Sequence, residues 1–272
     1  MLRTLGGYLR LMRASNGLIA FFSVLGTSVF ASRSVAFTPP VLLGALATVF
    51  IMGGGNALND YFDEEIDRRN KPRRPLPSGL IERKKAWIFA IALFLTGAAL
   101  SLFLNAGAMS IAFINIGLLI VYARYSKGML LVSNILVAGM TASVFIFSGA
   151  ILKRIEFNVI ILASSAFFVM MSREILKDIE DMEGDRQAGA RTLPLRFGIA
   201  RARAVSTALV CPAILLVYAP EVLKSADKPA LDLIVLATLS LGLSVFLPPP
   251  KAQKVLKLAS VIVLSAFLAG SL

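Results

Sequence analysis

Pro39 to Asn70 reads PPVLLGALATVFIMGGGNALNDYFDEEIDRRN. Residues 39–58 carry no charged side chain, and the dozen that follow hold five carboxylates. A helix needs about 20 apolar residues to cross a bilayer. The run has that length, and the charges mark where the helix leaves the apolar phase. Outward from it lie eight more apolar runs, at about 17–31, 86–104, 108–123, 129–152, 157–172, 204–220, 229–247 and 258–272. Open sheet edges cannot sit in lipid, and no alternating barrel pattern is present, so the runs predict helices. The expected fold is an all-α polytopic membrane protein with nine transmembrane helices, residues 1–272 forming one domain.

Composition agrees. Of 272 residues, 57% are apolar and 16% charged, with a mean hydropathy of +0.78. A soluble domain carries about a quarter charged residues. The formal charge is nevertheless +12. With nine spans, the N-terminus and the segments 59–85, 124–128, 173–203 and 248–257 share one side and hold 23 of the 28 basic residues. That side is expected to be cytoplasmic. Met1 to Asn16, with Arg3, Arg10 and Arg13, has no small-residue cleavage site before a soluble domain. It predicts an amphipathic helix on the membrane surface, not a removed signal peptide. The absence of histidine excludes His-ligated zinc and Ser-His-Asp triads. The single cysteine, Cys211, excludes an intrachain disulfide and reads as a small buried hydrophobe.

Acids are concentrated too. Twelve of 16 lie in 59–85 and 173–203, six in each. Asp60, Asp63 and Asp67 are spaced i, i+3, i+7, and Asp178, Asp181 and Asp185 repeat that spacing 118 residues later. Leu-Pro follows each triplet, at Leu76-Pro77 and Leu193-Pro194. Four spans separate the blocks, which puts both on one membrane face and predicts an internal parallel repeat. Positions i, i+3 and i+7 share one helix stripe, with Asn59, Asp63 and Asp67 on an adjacent one. Stacked carboxylates repel each other, and a hard cation such as magnesium relieves the repulsion through oxygen ligands. Two facing clusters would hold an anion with several oxygens, such as a diphosphate. The basic residues Arg68, Arg69, Lys71, Arg73 and Arg74 after the first triplet, and Arg186, Arg191 and Arg196 after the second, suit phosphate oxygens. Taken singly, each is more often a topology determinant or a lipid-headgroup contact. Pro72, Pro75 and Pro77 predict a structured loop over the first cluster.

Asn59-Asp60-x-x-Asp63-x-x-x-Asp67, followed by Arg74-Pro75-Leu76-Pro77-Ser78-Gly79, resembles the first signature of the UbiA superfamily of intramembrane prenyltransferases. Asp178-x-x-Asp181-x-x-x-Asp185 resembles its second. The resemblance implies nine helices around a central cavity and magnesium bridging both motifs (59–67 and 178–185) to an allylic diphosphate. It makes Asn59, Asp63, Asp67, Asp181 and Asp185 metal ligands, with Asp60 and Asp178 as further acidic positions. Asp63, Asp67, Asp181 and Asp185 become the catalytic carboxylates. Arg68, Lys71, Arg74, Lys127, Lys177 and Arg191 are the expected phosphate contacts. Tyr122 and Tyr125 would face the allylic cation, or else form an interfacial aromatic belt.

The wording from Arg173 to Asp185, with Thr192-Leu193-Pro194, is similar to the archaeal ether-lipid branch of the family. That branch implies transfer of a geranylgeranyl group from geranylgeranyl diphosphate to the hydroxyl of geranylgeranylglyceryl phosphate, with Mg2+ as cofactor. The partners are a prenyl diphosphate, a phosphorylated lipid-like acceptor and the bilayer, with no nucleic acid. The alternatives are an aromatic acceptor such as 4-hydroxybenzoate, a tetrapyrrole acceptor, and a divalent-cation transporter.

Overall fold

A computed structural model describes residues 2–32, 37–125, 129–187, 189–219 and 228–269. Among these every regular element is a helix: α1 Leu2–Leu11, α2 Ala14–Ser32, α3 Pro39–Phe62, α4 Glu64–Asn70, α5 Arg83–Ser101, α6 Ala106–Tyr125 and α7 Val132–Ile151, then α8 Phe157–Glu180, α9 Met182–Gln187, α10 Leu193–Phe197, α11 Ile199–Val217, α12 Lys228–Ser244 and α13 Pro249–Ala269. Seven of them, α2, α3, α5, α6, α7, α8 and α11, are long and apolar enough to cross a membrane. The eighth and ninth apolar runs are helical as well. However, α12 has 17 residues, and α13 begins with Lys251, Lys254 and Lys257 in its first half. Large apolar side chains such as Leu95, Phe103, Leu215 and Phe246 are exposed, as on a surface that faces lipid.

The chain divides into two compact units, Met1–Phe22 with Thr38–Lys127, and Ser23–Phe37 with Gly128–Leu272. In the first, α3 lies along α5 and also meets α6. Small residues set the spacing. A Cβ at Gly97 would lie 2.6 Å from Cγ1 of Ile51 and 3.1 Å from its backbone nitrogen. A Cβ at Gly55 would meet Leu119 at 2.6 Å. The Gly53-Gly54-Gly55 run therefore permits close helix approach, as small residues do within membranes.

In the second unit, α8 packs against α7, α11 and α13. Val169 and Leu176 bury themselves among Val210, Ala213, Leu241 and Leu256. Hydroxyls bind across the helices where lipid offers no partner: Ser172 to Ser206, and Ser28 to Ser148, each at 2.8 Å.

The units share a local register. α2 and α7 begin 118 residues apart, as do α4 and α9, and α3 and α8 both begin and end at that offset. Arg13, one residue before α2, has φ 53°, and Leu131, one residue before α7, has φ 58°. A left-handed conformation costs a residue with a Cβ about 1–2 kcal/mol, so finding it at both positions is informative. The equal bounds and the matched unfavourable φ are independent of the aspartate spacing.

Candidate active site

Each aspartate triplet sits where a 24-residue helix ends. α3 stops at Phe62, and Asp63 caps it with φ −87° and ψ −1°, its N–H donating to the Asn59 carbonyl. α8 stops at Glu180, and Asp181 caps it with φ −87° and ψ 3°, its N–H donating to the Lys177 carbonyl. A short helix restarts at once in both places, with the Asp67 and Asp185 N–H groups donating to the Asp63 and Asp181 carbonyls at 2.8 and 2.9 Å. One residue therefore interrupts the expected single helix in each block, and the four-residue hydrogen-bond register continues through the interruption.

In the first block the two stripes have different fates. Nδ2 of Asn59 donates to Oδ2 of Asp63 at 2.9 Å, which fixes that amide beside that carboxylate. On the other stripe, Asp60 and Asp67 are 3% and 5% exposed. Arg74 donates through Nη1 to Oδ1 of Asp60 at 3.1 Å and also to Oδ2 of Asp67. Arg13 donates to the same Oδ1 of Asp60 at 3.0 Å. Burial raises the Asp67 pKa and outweighs Arg74, which lowers it. Burial also works against the Arg74 charge, but Asp60 and Asp67 more than offset it, so the Arg74 pKa rises.

In magnesium-free buffer the Asp67 shift has a defined sign. The folded chain holds this proton to higher pH than the unfolded chain. The stability it contributes is present below the ordinary carboxylate value of about 3.9 and is lost as pH rises through the raised value. Thermal melts across that window are expected to flatten in Asp67→Asn, and an unchanged slope would assign the dependence elsewhere.

The loop from Lys71 to Glu82 is held by its own backbone. N–H groups of Arg74, Ser78, Gly79 and Ile81 donate to carbonyls of Lys71, Arg74, Leu76 and Pro75. Leu76 and Ile81 are buried as its anchors. Gly79, at φ 71°, makes the left-handed turn. The prolines do build a structured loop, and Arg74 is its inward-facing charge. Arg68 pairs instead with Glu64 at 2.8 Å along α4.

In the second block, Nδ2 of Asn134 on α7 donates to Oδ2 of Asp178 at 2.8 Å. Asp181 and Asp185 are partly buried, and Arg191 is exposed. Lys177 pairs with Glu174 at 2.7 Å. Tyr122 is partly buried, whereas Tyr125 is 70% exposed with the Arg124 guanidinium 5.9 Å from its ring centroid. Lys127 lies outside the described residues. Cys211 is exposed, not the buried hydrophobe expected of it.

Arg13 and Asn134 are the partners that the motifs alone did not indicate. The 118-residue offset offers the signal for Asn134: Asn16 stands 118 residues before it, and a serine directly precedes each. In the sequence Arg13 reads only as a basic residue of the surface helix. Nothing in the motif links it to an aspartate 47 residues later.

The donor set suits magnesium, being carboxylate and amide oxygen throughout. Among the described residues no three acids converge on one point. An ion would then take one or two carboxylates and complete its octahedron with water and phosphate oxygens, which is how Mg2+ is commonly held.

The fold and these capped carboxylates define a multi-pass helical membrane protein with an Asp-rich end on each of two long helices. The chain belongs to the UbiA prenyltransferase family, whose profile matches residues 19–268. A digeranylgeranylglyceryl phosphate synthase of Haloquadratum walsbyi is 35% identical over 272 residues, covering 98% of this chain and 95% of its own. One from Methanococcus aeolicus is 37% identical over 274 residues, covering 97% of each. A solved digeranylgeranylglyceryl phosphate synthase structure matches with TM-score 0.77 and 35% identity over 98% of both chains. A UbiA homologue of Archaeoglobus fulgidus, solved with DMAPP and Mg2+, matches in fold with TM-score 0.70 at 20% identity, covering 97% of this chain and 98% of its own.

Proposed function

We propose that this prenyltransferase moves a geranylgeranyl group from geranylgeranyl diphosphate to the free hydroxyl of geranylgeranylglyceryl phosphate, making the second ether bond of an archaeal lipid. The reading is carried by the two matched carboxylate caps, Asp63 and Asp181, in a chain similar over nearly its whole length to named digeranylgeranylglyceryl phosphate synthases. Residues 1–272 work as one domain with nine crossing helices and a parallel repeat. The common offset of α2 with α7 and of α3 with α8 supports this. The concentration of basic residues in the predicted loops supports a cytoplasmic location for both motifs.

Magnesium supplies charge neutralisation to the leaving diphosphate. Asn59, Asp63 and Asp67 of the first motif, and Asp181 and Asp185 of the second, hold it. Asp60 and Asp178 are less direct: Asp60 already accepts two guanidinium bonds and Asp178 one amide bond. Arg74 fixes the Asp67 carboxylate. Arg68, Lys71, Lys177 and Arg191 add positive potential, with Lys127 as a further phosphate contact. Tyr122 and Tyr125 remain the aromatic groups assigned to the prenyl cation.

In the reaction the allylic C–O bond to diphosphate breaks, diphosphate leaves with the bonding pair, and the acceptor oxygen forms the new ether bond, its proton passing to the released diphosphate or to water. An allylic cation is electrophilic enough for a neutral hydroxyl, so a chain without histidine can perform the step. A cation transporter fits poorly, because acids in a conduction path belong near mid-membrane, whereas both triplets lie at helix ends.

The purified protein, given Mg2+ and geranylgeranyl diphosphate, is expected to prenylate geranylgeranylglyceryl phosphate and not 4-hydroxybenzoate. Mass spectrometry of the extracted lipid reads the product. Prenylated aromatic acid as the sole product would overturn the acceptor assignment.

A further inference from the structure

A cavity of about 450 Å3 lies between α1 and the Lys71–Glu82 loop, lined by Arg10, Arg13, Lys71, Arg73, Arg74 and Asp60 together with Pro72 and Pro75. Five cations meet one carboxylate there, and that carboxylate is already used. Asp60 is 3% exposed, and its Oδ1 receives both Arg13 and Arg74. That oxygen is committed to the two guanidinium groups. It acts as an anchor that holds two guanidinium groups in the wall while Arg10 and Arg73 stand exposed at the rim. A pocket with this excess of positive charge takes an anion directly, through charge-assisted hydrogen bonds and not through a metal. Through Arg74, which also binds Asp67, the pocket adjoins the carboxylates assigned above to magnesium.

The neighbouring helix α1 exposes apolar side chains beside its basic ones. Leu5 and Leu9 of α1 are 58% and 47% exposed, and Leu9 directly precedes Arg10. A surface helix that carries exposed leucines beside an arginine-lined pocket suits a ligand with a phosphate head and a hydrocarbon tail.

We propose that this pocket binds the phosphate monoester of the acceptor lipid, with Arg10 and Arg73 as direct contacts and Asp60, Arg13 and Arg74 as its fixed wall. The inference rests on the proposed reaction, since it names the part of the enzyme that selects a phosphorylated acceptor.

The test uses the full chain in nanodiscs of neutral phosphatidylcholine and the variant Arg10→Gln/Arg73→Gln, which leaves the Asp60 pairs intact. Binding of geranylgeranylglyceryl phosphate is expected to weaken at least tenfold, while binding of the dephosphorylated alcohol stays within twofold. KM for the acceptor should rise at least tenfold, with KM for geranylgeranyl diphosphate within twofold. The Arg10→Lys/Arg73→Lys variant should recover most of the affinity and guards against misfolding of the first variant.

Unchanged acceptor binding, or a rise confined to the diphosphate KM, would overturn the proposal. So would phosphatidic acid displacing the acceptor from the wild type at equal concentration, since the pocket would then serve lipid headgroups at large. Failure of the reaction itself reads differently: no ether product from the wild type, whatever the variant binds.

Discussion

Asp63→Ala and Asp181→Ala are each expected to lose about 10³-fold in turnover, the scale seen when one preorganised stabiliser of developing charge is removed. Both aspartates sit at the junction of a long and a short helix, and each carries the backbone register through it. Alanine keeps helical geometry at these φ, ψ values, so the main chain has no reason to change. Magnesium-dependent binding of a non-hydrolysable prenyl diphosphate analogue should fall with turnover, while the melting profile stays near that of the wild type. Wild-type turnover in both variants would remove the carboxylate caps from the mechanism. Loss in Asp63→Ala alone would assign the metal to the first motif and leave Asp181 as a cap.

Arg74→Met is expected to lower stability by about 3–5 kcal/mol, the cost of leaving buried carboxylates without their cation. Asp60 would keep Arg13, but Asp67 would lose its ion-pair partner within a buried site. The loop would also lose the side chain that ties it to α3 and α4. Adding Asp67→Asn to Arg74→Met removes the stranded charge and should recover part of the loss. Thermal unfolding of the detergent-solubilised protein measures both variants. A melting temperature unaffected by Arg74→Met would mean that the network is solvated and contributes nothing to folding.

Much of this was legible from residues 39–70 alone. An uncharged run abutting a carboxylate block specifies a helix long enough to cross a membrane that ends in charge, because hydrocarbon tolerates few charges. Periodicity could not show that the helix breaks at Asp63. The αR angles there differ little from a continuing helix, and no proline or glycine marks the point. Nor could it show which arginines reach Asp60. Asp60 and Asp63 carry the same side chain three residues apart, yet one is locked by Arg13 and Arg74 and the other beside Asn59. That distinction depends on partners far along the chain, and tertiary packing decides it. Cys211 failed in the same way. An apolar neighbourhood implies burial in a soluble protein, whereas in this one an apolar residue can face outward.

The left-handed pair Arg13 and Leu131 bears on how the two units are built. An unfavourable backbone angle falls at one register ahead of α2 and α7, which is what the proposed parallel repeat would leave behind. Within that shared frame the leading aspartates are steadied differently, Asp60 by two arginines and Asp178 by the neutral amide of Asn134. One backbone register thus carries two different answers to the same buried carboxylate.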